Sequence, residues 1–484
     1  VSRIPAPEVA PEMTSAIVVG SGPNGLAAAA RLARAGLEVT VLEAADVPGG
    51  GTRTSEQIVP GLLHDHCSAV HQIAAGSPFF NEIDLGSHGL NWLSAPVDCV
   101  HPLDDGSAGV LHQSIDRTVE ALGLDGKRWH QLFASMSDRF GDLFADTSHP
   151  VLSSFPSHPL LLARFGAAAL LPATTLARLF RTDQAKALFG GVAAHTYYRL
   201  DRPLTSAVGM MLVIAGHNQG WVVAEGGSQS ITDALIADIE HHRGRIETRH
   251  RVRSINDLPA ADVVMLDVSP SSAAAILGDR LPQRIARSYR RFKHGPGAYK
   301  VDFAIEHGVP WTAHHARQAG TVHLGGTFAE LQATEKAIHN GVMPDQPFVL
   351  VSQQYLADPG RSVGDVHPLW TYAHVPHGYT GDATQAIIDQ IERFAPGFRD
   401  RIVGTAVRTT TEMSVYNENY VGGDIIGGAS TPTQLLFRPR VSRNPYATGV
   451  PGVYICSAST PPGAGAHGMC GANAAARALA ELER

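Results

Sequence analysis

Cysteine is scarce: four of 484 residues, Cys67, Cys99, Cys456 and Cys470, with no C-x-x-C pair among them. A redox-active disulfide is therefore not expected, and thiols used so sparingly fit a reducing cytoplasm. No uncharged apolar run is long enough to span a bilayer, and the stretch before the first strand does not read as a signal peptide, so none is expected. At a net charge of −7, nothing in the balance asks for nucleic acid, and no such partner is expected. A G-x-S-x-G element is missing, which removes the nucleophile-elbow hydrolases. A second complete strand–G-x-G-x-x-G–helix–strand unit is missing too, so an internal nicotinamide site is not expected and the electron acceptor should be external. Histidine is plentiful, 24 in all. The best pairs, His64-Asp65-His66 and His374-Val-Pro-His377, lack helical spacing and a visible third ligand, so no metal site is expected; Asp65 fits a structural role at a domain junction better.

What the chain does contain starts at "AIVVGSGPNGLAAAARLARAGLEVTVLEA", residues 16–44. A Val/Ile run breaks at Gly20-Ser21-Gly22-Pro23-Asn24-Gly25, an Ala/Leu-rich helix follows, and a β-branched strand closes on Glu43. Gly20 permits the tight turn, Gly22 the approach of a pyrophosphate, and Gly25 close packing of helix on sheet. Free amides of the first helical turn face the phosphates. Glu43 stands about twenty residues on, where a carboxylate accepts ribose hydroxyls and repels a 2′-phosphate. The unit predicts a dinucleotide site.

At 44% hydrophobic residues and a mean hydropathy of −0.03, the chain can fill two or three domains. Val1–Glu12, with three prolines, reads as a flexible leader, and Met13 is a candidate natural start. Nucleotide-binding features then recur in three separated pieces: 14–76, 217–285 and 441–484. Between them lie 77–216, mainly helical, and 286–440, a mixed sheet. This distribution predicts one discontinuous nucleotide domain with a second domain inserted twice. No repeat or low-complexity segment is visible.

The blocks "VVGSGPNGLAAAARLARAGLEVTVLE", "PGLLHDHCS", "GWVVAEGGSQSITDAL", "GTVHLGGT", "IERFAPGFRDRI", "NYVGGDI" and "CSASTPPGAGAHGMCG" resemble the FAD-binding family of amine oxidases, phytoene desaturases and carotenoid isomerases. The likeness is nearest to its phytoene-dehydrogenase-like branch and spans nearly the whole chain. The fold it implies is α/β, a Rossmann-like, glutathione-reductase-like FAD-binding domain with an inserted α+β substrate domain. The resemblance implies FAD contacts at Gly20, Ser21, Gly22, Pro23, Asn24, Gly25 and Glu43, then at Gly50, Gly51 and Thr52. It further implies an adenine contact from the main chain of Val252, and contacts at Ser457, Gly468 and Met469. One departure stands out: Gly51 occupies the arginine position of the family's G-G-R, and Arg53 follows two residues later.

Pro462–Gly471 is a Gly-rich loop before a terminal helix. Backbone amides there, Gly468 and Met469 by choice, would stabilise negative charge on a reduced flavin. His467 is either a proton donor or acceptor beside the ring or a loop anchor. Residues 158–181, with Arg164, Arg178 and Arg181 among Leu, Phe and Ala, read as a buried helix or as a peripheral membrane contact of a cytoplasmic protein. The resulting expectation is a flavoenzyme, with homo-oligomerisation open, that takes hydride from an apolar, polyene- or lipid-like substrate and passes electrons to oxygen or a quinone. A redox-neutral polyene isomerase, an amine oxidase and a non-catalytic flavin-binding protein remain as alternatives. Amine oxidation is disfavoured because no aromatic cage is recognisable near the terminal loop.

Overall fold

A computed structural model describes residues 14–153 and 155–483, so the proline-bearing leader and Met13 lie outside the described residues. The opening unit forms strand Ser15–Val19, helix Pro23–Arg34 and strand Glu38–Leu42. These β-branched strands alternate between two apolar layers, as central strands of a parallel sheet must. Three further strands join them in parallel, in the order Val453–Ile455, Val263–Leu266, Ser15–Val19, Glu38–Leu42, Arg245–Glu247. Ala16, Val18, Val39 and Val41 face one core, and Ile17, Val19, Val264 and Ile455 face another. The start, middle and end of the chain thus contribute to one sheet.

Helix Met469–Leu482 packs along Pro23–Arg34. The approach is so close that a Cβ on Gly471 would lie 1.7 Å from the carbonyl oxygen of Asn24. Only glycine allows two helix backbones this near, and the contact carries the loop before the last helix to the Gly-rich turn.

A seven-stranded mixed sheet forms the second domain, running from edge strand Ile402–Arg408 to edge strand Ala108–Leu111. Segment 77–216 is mostly helices but lends this sheet the hairpin Val97–Pro102 and Ala108–Leu111, closed by a turn at Asp104-Asp105-Gly106. The sheet's faces differ in chemistry. Val301, Phe303, Val322, Val349 and Val351 pack with Ile387, Ile391 and Phe394 of helix Thr384–Phe394. The opposite face presents Lys300, Asp302, His323, Trp370, Tyr372 and His374, all buried. Helices Asp183–Ala194 and Thr205–Gln219 lie on that side. Among the described residues, no helix is long and apolar enough to cross a membrane.

A buried ion pair ties the domains together. Asp65 ends strand Leu63–Asp65 and receives Thr54 Oγ1 at 2.6 Å and the Ser228 amide at 2.7 Å, both from the first domain. From the second domain it receives Gln354 Nε2 at 2.8 Å and Arg361 Nη1 at 2.6 Å. Arg361 also donates to Asp358 at 3.1 Å and to the Ala224 carbonyl at 2.6 Å. Both partners of the pair are fully buried. Removing Asp65 leaves the Arg361 guanidinium buried with only Asp358 against it and strips the acceptor from Gln354, Thr54 and the Ser228 amide, so Asp65→Ala should destabilise the fold by about 3–5 kcal/mol. A denaturant midpoint equal to wild type would show that the pair does not clamp the domains.

Candidate dinucleotide and substrate site

The phosphate loop sits at the carboxyl ends of the parallel strands, between the two neighbours of Ser15–Val19, where an α/β sheet places its ligand crevice. Pro23 occupies the first helical turn after the Gly22 cap, a position where its missing N–H costs nothing. A Cβ on Gly25 would strike the Gly20 carbonyl at 2.1 Å. Glu43 is buried and faces the loop: Oε2 accepts from Ser21 N at 2.9 Å and Ser21 Oγ at 2.5 Å, and Oε1 from Ala45 N at 2.8 Å. Asn24 Oδ1 is buried without a hydrogen-bond partner among the described residues.

Two groups beside this loop escaped the sequence reading. Asp267 directly follows strand Val263–Leu266, and its Oδ2 accepts the Gly25 amide at 3.0 Å. Burial pushes its pKa up to about 7, against the effect of that hydrogen bond. Its Oδ2 would lie 2.7 Å from a Cβ on Gly22, so no side chain fits there. Arg53 folds back to the site, with Nη2 3.3 Å from Glu43 and Nε donating to the Val47 carbonyl at 2.7 Å. Its guanidinium lies 5.2 Å from the centre of the Tyr416 ring.

The departure at Gly51 has a steric cause. A Cβ there would lie 2.2 Å from the Tyr420 hydroxyl, so an arginine at this position and Tyr420 as it stands exclude each other. Gly50, with φ of 55°, gives its carbonyl to the Tyr416 hydroxyl at 2.5 Å. Thr52 is buried and bonds the Gly49 carbonyl at 2.7 Å and Thr232 at 2.8 Å. Val252 is half-buried against the apolar layer under the sheet and does not line the cavity described below. Its near neighbour His250 donates its amide to the Glu43 carbonyl at 2.8 Å.

The terminal loop uses two of its groups in its own hydrogen bonds. His467 is buried, and its Nδ1 accepts the Met469 amide at 3.0 Å while its carbonyl accepts Ser77 Oγ at 2.7 Å. Burial lowers its pKa to about 4, opposed by bonds to the Ala464 and Gly463 backbone. This histidine therefore anchors the loop, one of the two roles open to it, and it is not among the residues that line the cavity. The Met469 amide, expected to be free for a ligand, is spent on that imidazole. Gly468 caps the helix at φ of 70°, packed so that a Cβ would meet Phe80 at 2.7 Å and Ala27 at 2.8 Å. Ser457 bonds the Val268 carbonyl at 2.7 Å and does reach the cavity.

That cavity, of 330 Å³, joins the domains. Gly22, Asn24, Gly51, Thr52, Asp267 and Ser457 line its first-domain part. Further on, Val208, Leu212 and Leu350 give it apolar walls, with Tyr197, Trp370 and Tyr372 as an aromatic group. Tyr197 and Tyr372 stack at 6.1 Å, and Trp370 meets Tyr372 edge-on at 5.1 Å. These aromatics, which the neighbourhood of the terminal loop did not reveal, come from strand Val366–Val375 and from the loop after helix Asp183–Ala194. Behind Trp370 lies the buried Lys300–Asp302 ion pair, with the ammonium 5.4 Å from the indole centre. The histidine pairs have separate partners. His64 faces Asp302 at 3.8 Å and His66 bonds Ser55 at 2.7 Å. His374 bonds Glu335 at 2.7 Å, and His377 bonds the Gly295 carbonyl at 2.8 Å. Among the described residues, no three His, Cys, Asp or Glu side chains gather as a metal site would require.

A parallel sheet with one phosphate loop, joined over a cavity to a mixed-sheet domain, defines a dinucleotide-binding enzyme with a separate substrate domain. A family model described as an NAD(P)-binding Rossmann-like domain matches residues 18–81. The chain is 23% identical to pyridine nucleotide-disulfide oxidoreductase domain-containing protein 2 of Rattus norvegicus, over 95% of this chain and 92% of the relative. It is 29% identical to hydroxyneurosporene desaturase of Cereibacter sphaeroides, over 62% of this chain and 65% of the relative. A solved structure of a putrescine oxidase mutant, from a redesign of its cofactor binding, matches with a TM-score of 0.61 at 18% identity, covering 97% of this chain and 99% of that one. These findings agree with the resemblance carried by the motifs: the chain is similar in sequence to a desaturase and to a protein named as an oxidoreductase, and it shares its fold with a putrescine oxidase.

Burial holds several imidazoles neutral around this site: His64, His66 and His195 are lowered to about 3, His71 and His467 to about 4. The unfolded chain protonates them near their ordinary 6.5, before the folded one does. Their contribution to stability is therefore intact above that pH and falls as pH drops from 6.5 through about 3, by up to ~1.4 kcal/mol per pH unit for each group. Denaturant titrations across this window should show a midpoint that falls steeply with acidification; a flat profile would contradict neutral burial.

Proposed function

We propose that the chain is an FAD-dependent oxidoreductase that oxidises an apolar, polyene- or lipid-like substrate and returns the electrons to oxygen or a quinone. One observation carries the reading: a single cavity extends from the phosphate loop and Ser457 to the apolar and aromatic walls of the second domain. The residues suit a dinucleotide. Gly22 and Gly51 have no room for a side chain, and Asn24 Oδ1 is left without a partner among the described residues. When bound, the flavin supplies the two-electron acceptor for a substrate C–H bond. The chain's own groups do the remaining work. The amino-terminal end of helix Met469–Leu482 faces the loop with its positive dipole end, which favours negative charge nearby. Val208, Leu212 and Leu350 hold an apolar body and keep water from it.

Purified protein is expected to be yellow, and Gly22→Val, which drives a side chain toward Asp267 and the phosphate crevice, colourless. Visible absorption after desalting checks this; a fully loaded yellow variant would sink the placement.

Amine oxidation is a second reading, favoured by Tyr197, Trp370 and Tyr372 on one wall, since aromatic faces attract ammonium groups. Anaerobic bleaching by amines and not by apolar compounds would replace the first reading with this one.

Membrane contact through 158–181 belongs to the same proposal, as the way an apolar substrate is collected. Leu160 is 87% exposed and Leu170 57%, with Phe155 at 87% just before them. Arg164, Arg178 and Arg181 are exposed alongside. Anionic vesicles should sediment the wild type and not Leu160→Glu; equal sedimentation removes the contact.

A further inference from the structure

The second-domain wall of the cavity carries a histidine that no sequence motif announced. His195 caps the carboxyl end of helix Asp183–Ala194 and lines the cavity. The wall's other histidine, His294, lies 3.3 Å from Asp424. His195 instead meets a second imidazole: its Nε2 is 3.0 Å from Nε2 of His323, which is fully buried on strand Ala319–Leu324. His323 Nδ1 lies 3.5 Å from Sγ of Cys99. Among the described residues, Nδ1 of His195 has no hydrogen-bond partner.

One proton serves an Nε2–Nε2 bond. If His195 supplies it, Nδ1 of His195 is bare and accepts. If His323 supplies it, His195 keeps its proton on Nδ1 and donates. The Cys99 thiol suits both arrangements, because sulfur is a weak acceptor and S–H a weak donor. The row therefore offers the cavity an acceptor in one tautomer and a donor in the other, without a change of charge. Burial lowers His195 to about 3 and His323 well below its ordinary value, so both rings stay neutral. Besides each other, the ionisable groups that shift them are imidazoles, His101 and His374.

We propose that His195, held by His323, is the recognition site for a neutral oxygen function, hydroxyl or carbonyl, on an otherwise apolar ligand of the cavity. The assignment rests on reading this cavity as the substrate site and narrows the substrate class to oxygenated apolar molecules. An alcohol donates to bare Nδ1, and the corresponding carbonyl accepts from Nδ1–H, so one residue fits both members of such a pair. Tyr197, Val208, Leu212 and Trp221 line the same cavity and accommodate the carbon body.

Trp221 and Trp370 line the cavity, so tryptophan fluorescence reports binding independently of redox chemistry. The probes are 1-decanol, 2-decanone and n-decane, titrated into the protein as purified. His195→Phe is expected to weaken the alcohol and the ketone about fivefold or more, the worth of one hydrogen bond, and to leave the alkane nearly unchanged. His195→Gln, which keeps a donor and an acceptor, should recover part of the loss. Equal losses for all three probes, or no loss for the oxygenated pair, would overturn the assignment, as would failure of every probe to bind wild type. In wild type with 15N-labelled histidine, 2-decanone should drive the His195 ring to the Nδ1–H form; unmoved ring nitrogens overturn it as well. Failure of the oxidoreductase reading shows separately, as a flavin-free protein or one that no substrate bleaches anaerobically.

Discussion

The whole arrangement depends on how near the first and last helices come. Gly471 against the Asn24 carbonyl leaves no space for even a methyl group, and this contact fixes the terminal loop beside the phosphate turn. The two segments are more than four hundred residues apart in the chain, so their meeting is closed by packing and not by local preference. Asp65 and Arg361 repeat the principle at the domain junction. Each is fully buried, and each satisfies the other only if the domains sit as they do. A buried pair of this kind adds little net stability over an apolar one, but it penalises wrong dockings heavily.

The mixed sheet expresses a division of labour through its pleat. Successive side chains point to opposite faces, so one strand serves two environments. Val301 and Phe303 join an apolar core, whereas Lys300 and Asp302 belong to the polar face behind the cavity. Val322 and His323 divide in the same way. A buried face this rich in imidazole, ammonium, carboxylate and phenol is costly unless each group finds a partner. Most do, and the arrangement of those partners gives the cavity its chemistry.

Much of the first domain was legible in the sequence because its signals are local. Gly20, Gly22 and Gly25 act within one turn, and Glu43 at the end of the next strand is a near neighbour through parallel pairing. The terminal loop was legible as a loop, but the use of its groups was not. His467 reads equally as anchor or proton carrier until its Nδ1 is seen to hold the Met469 amide. Arg53 had no assigned place because a two-residue shift from the family pattern gave no hint that it turns back to Glu43. Gly51 became intelligible only through Tyr420, from a segment some 370 residues on.

By itself, the sequence determined a dinucleotide turn, an α/β class and three chain pieces with a common purpose, since periodicity, glycine placement and β-branching act over a few residues. Only the tertiary structure decided which aromatics meet, which histidines face a cavity and which are props. Those outcomes hang on side chains that alternate across strands of unrelated segments, and on burial, which sets whether an imidazole is charged. Neither is encoded at any one place along the chain.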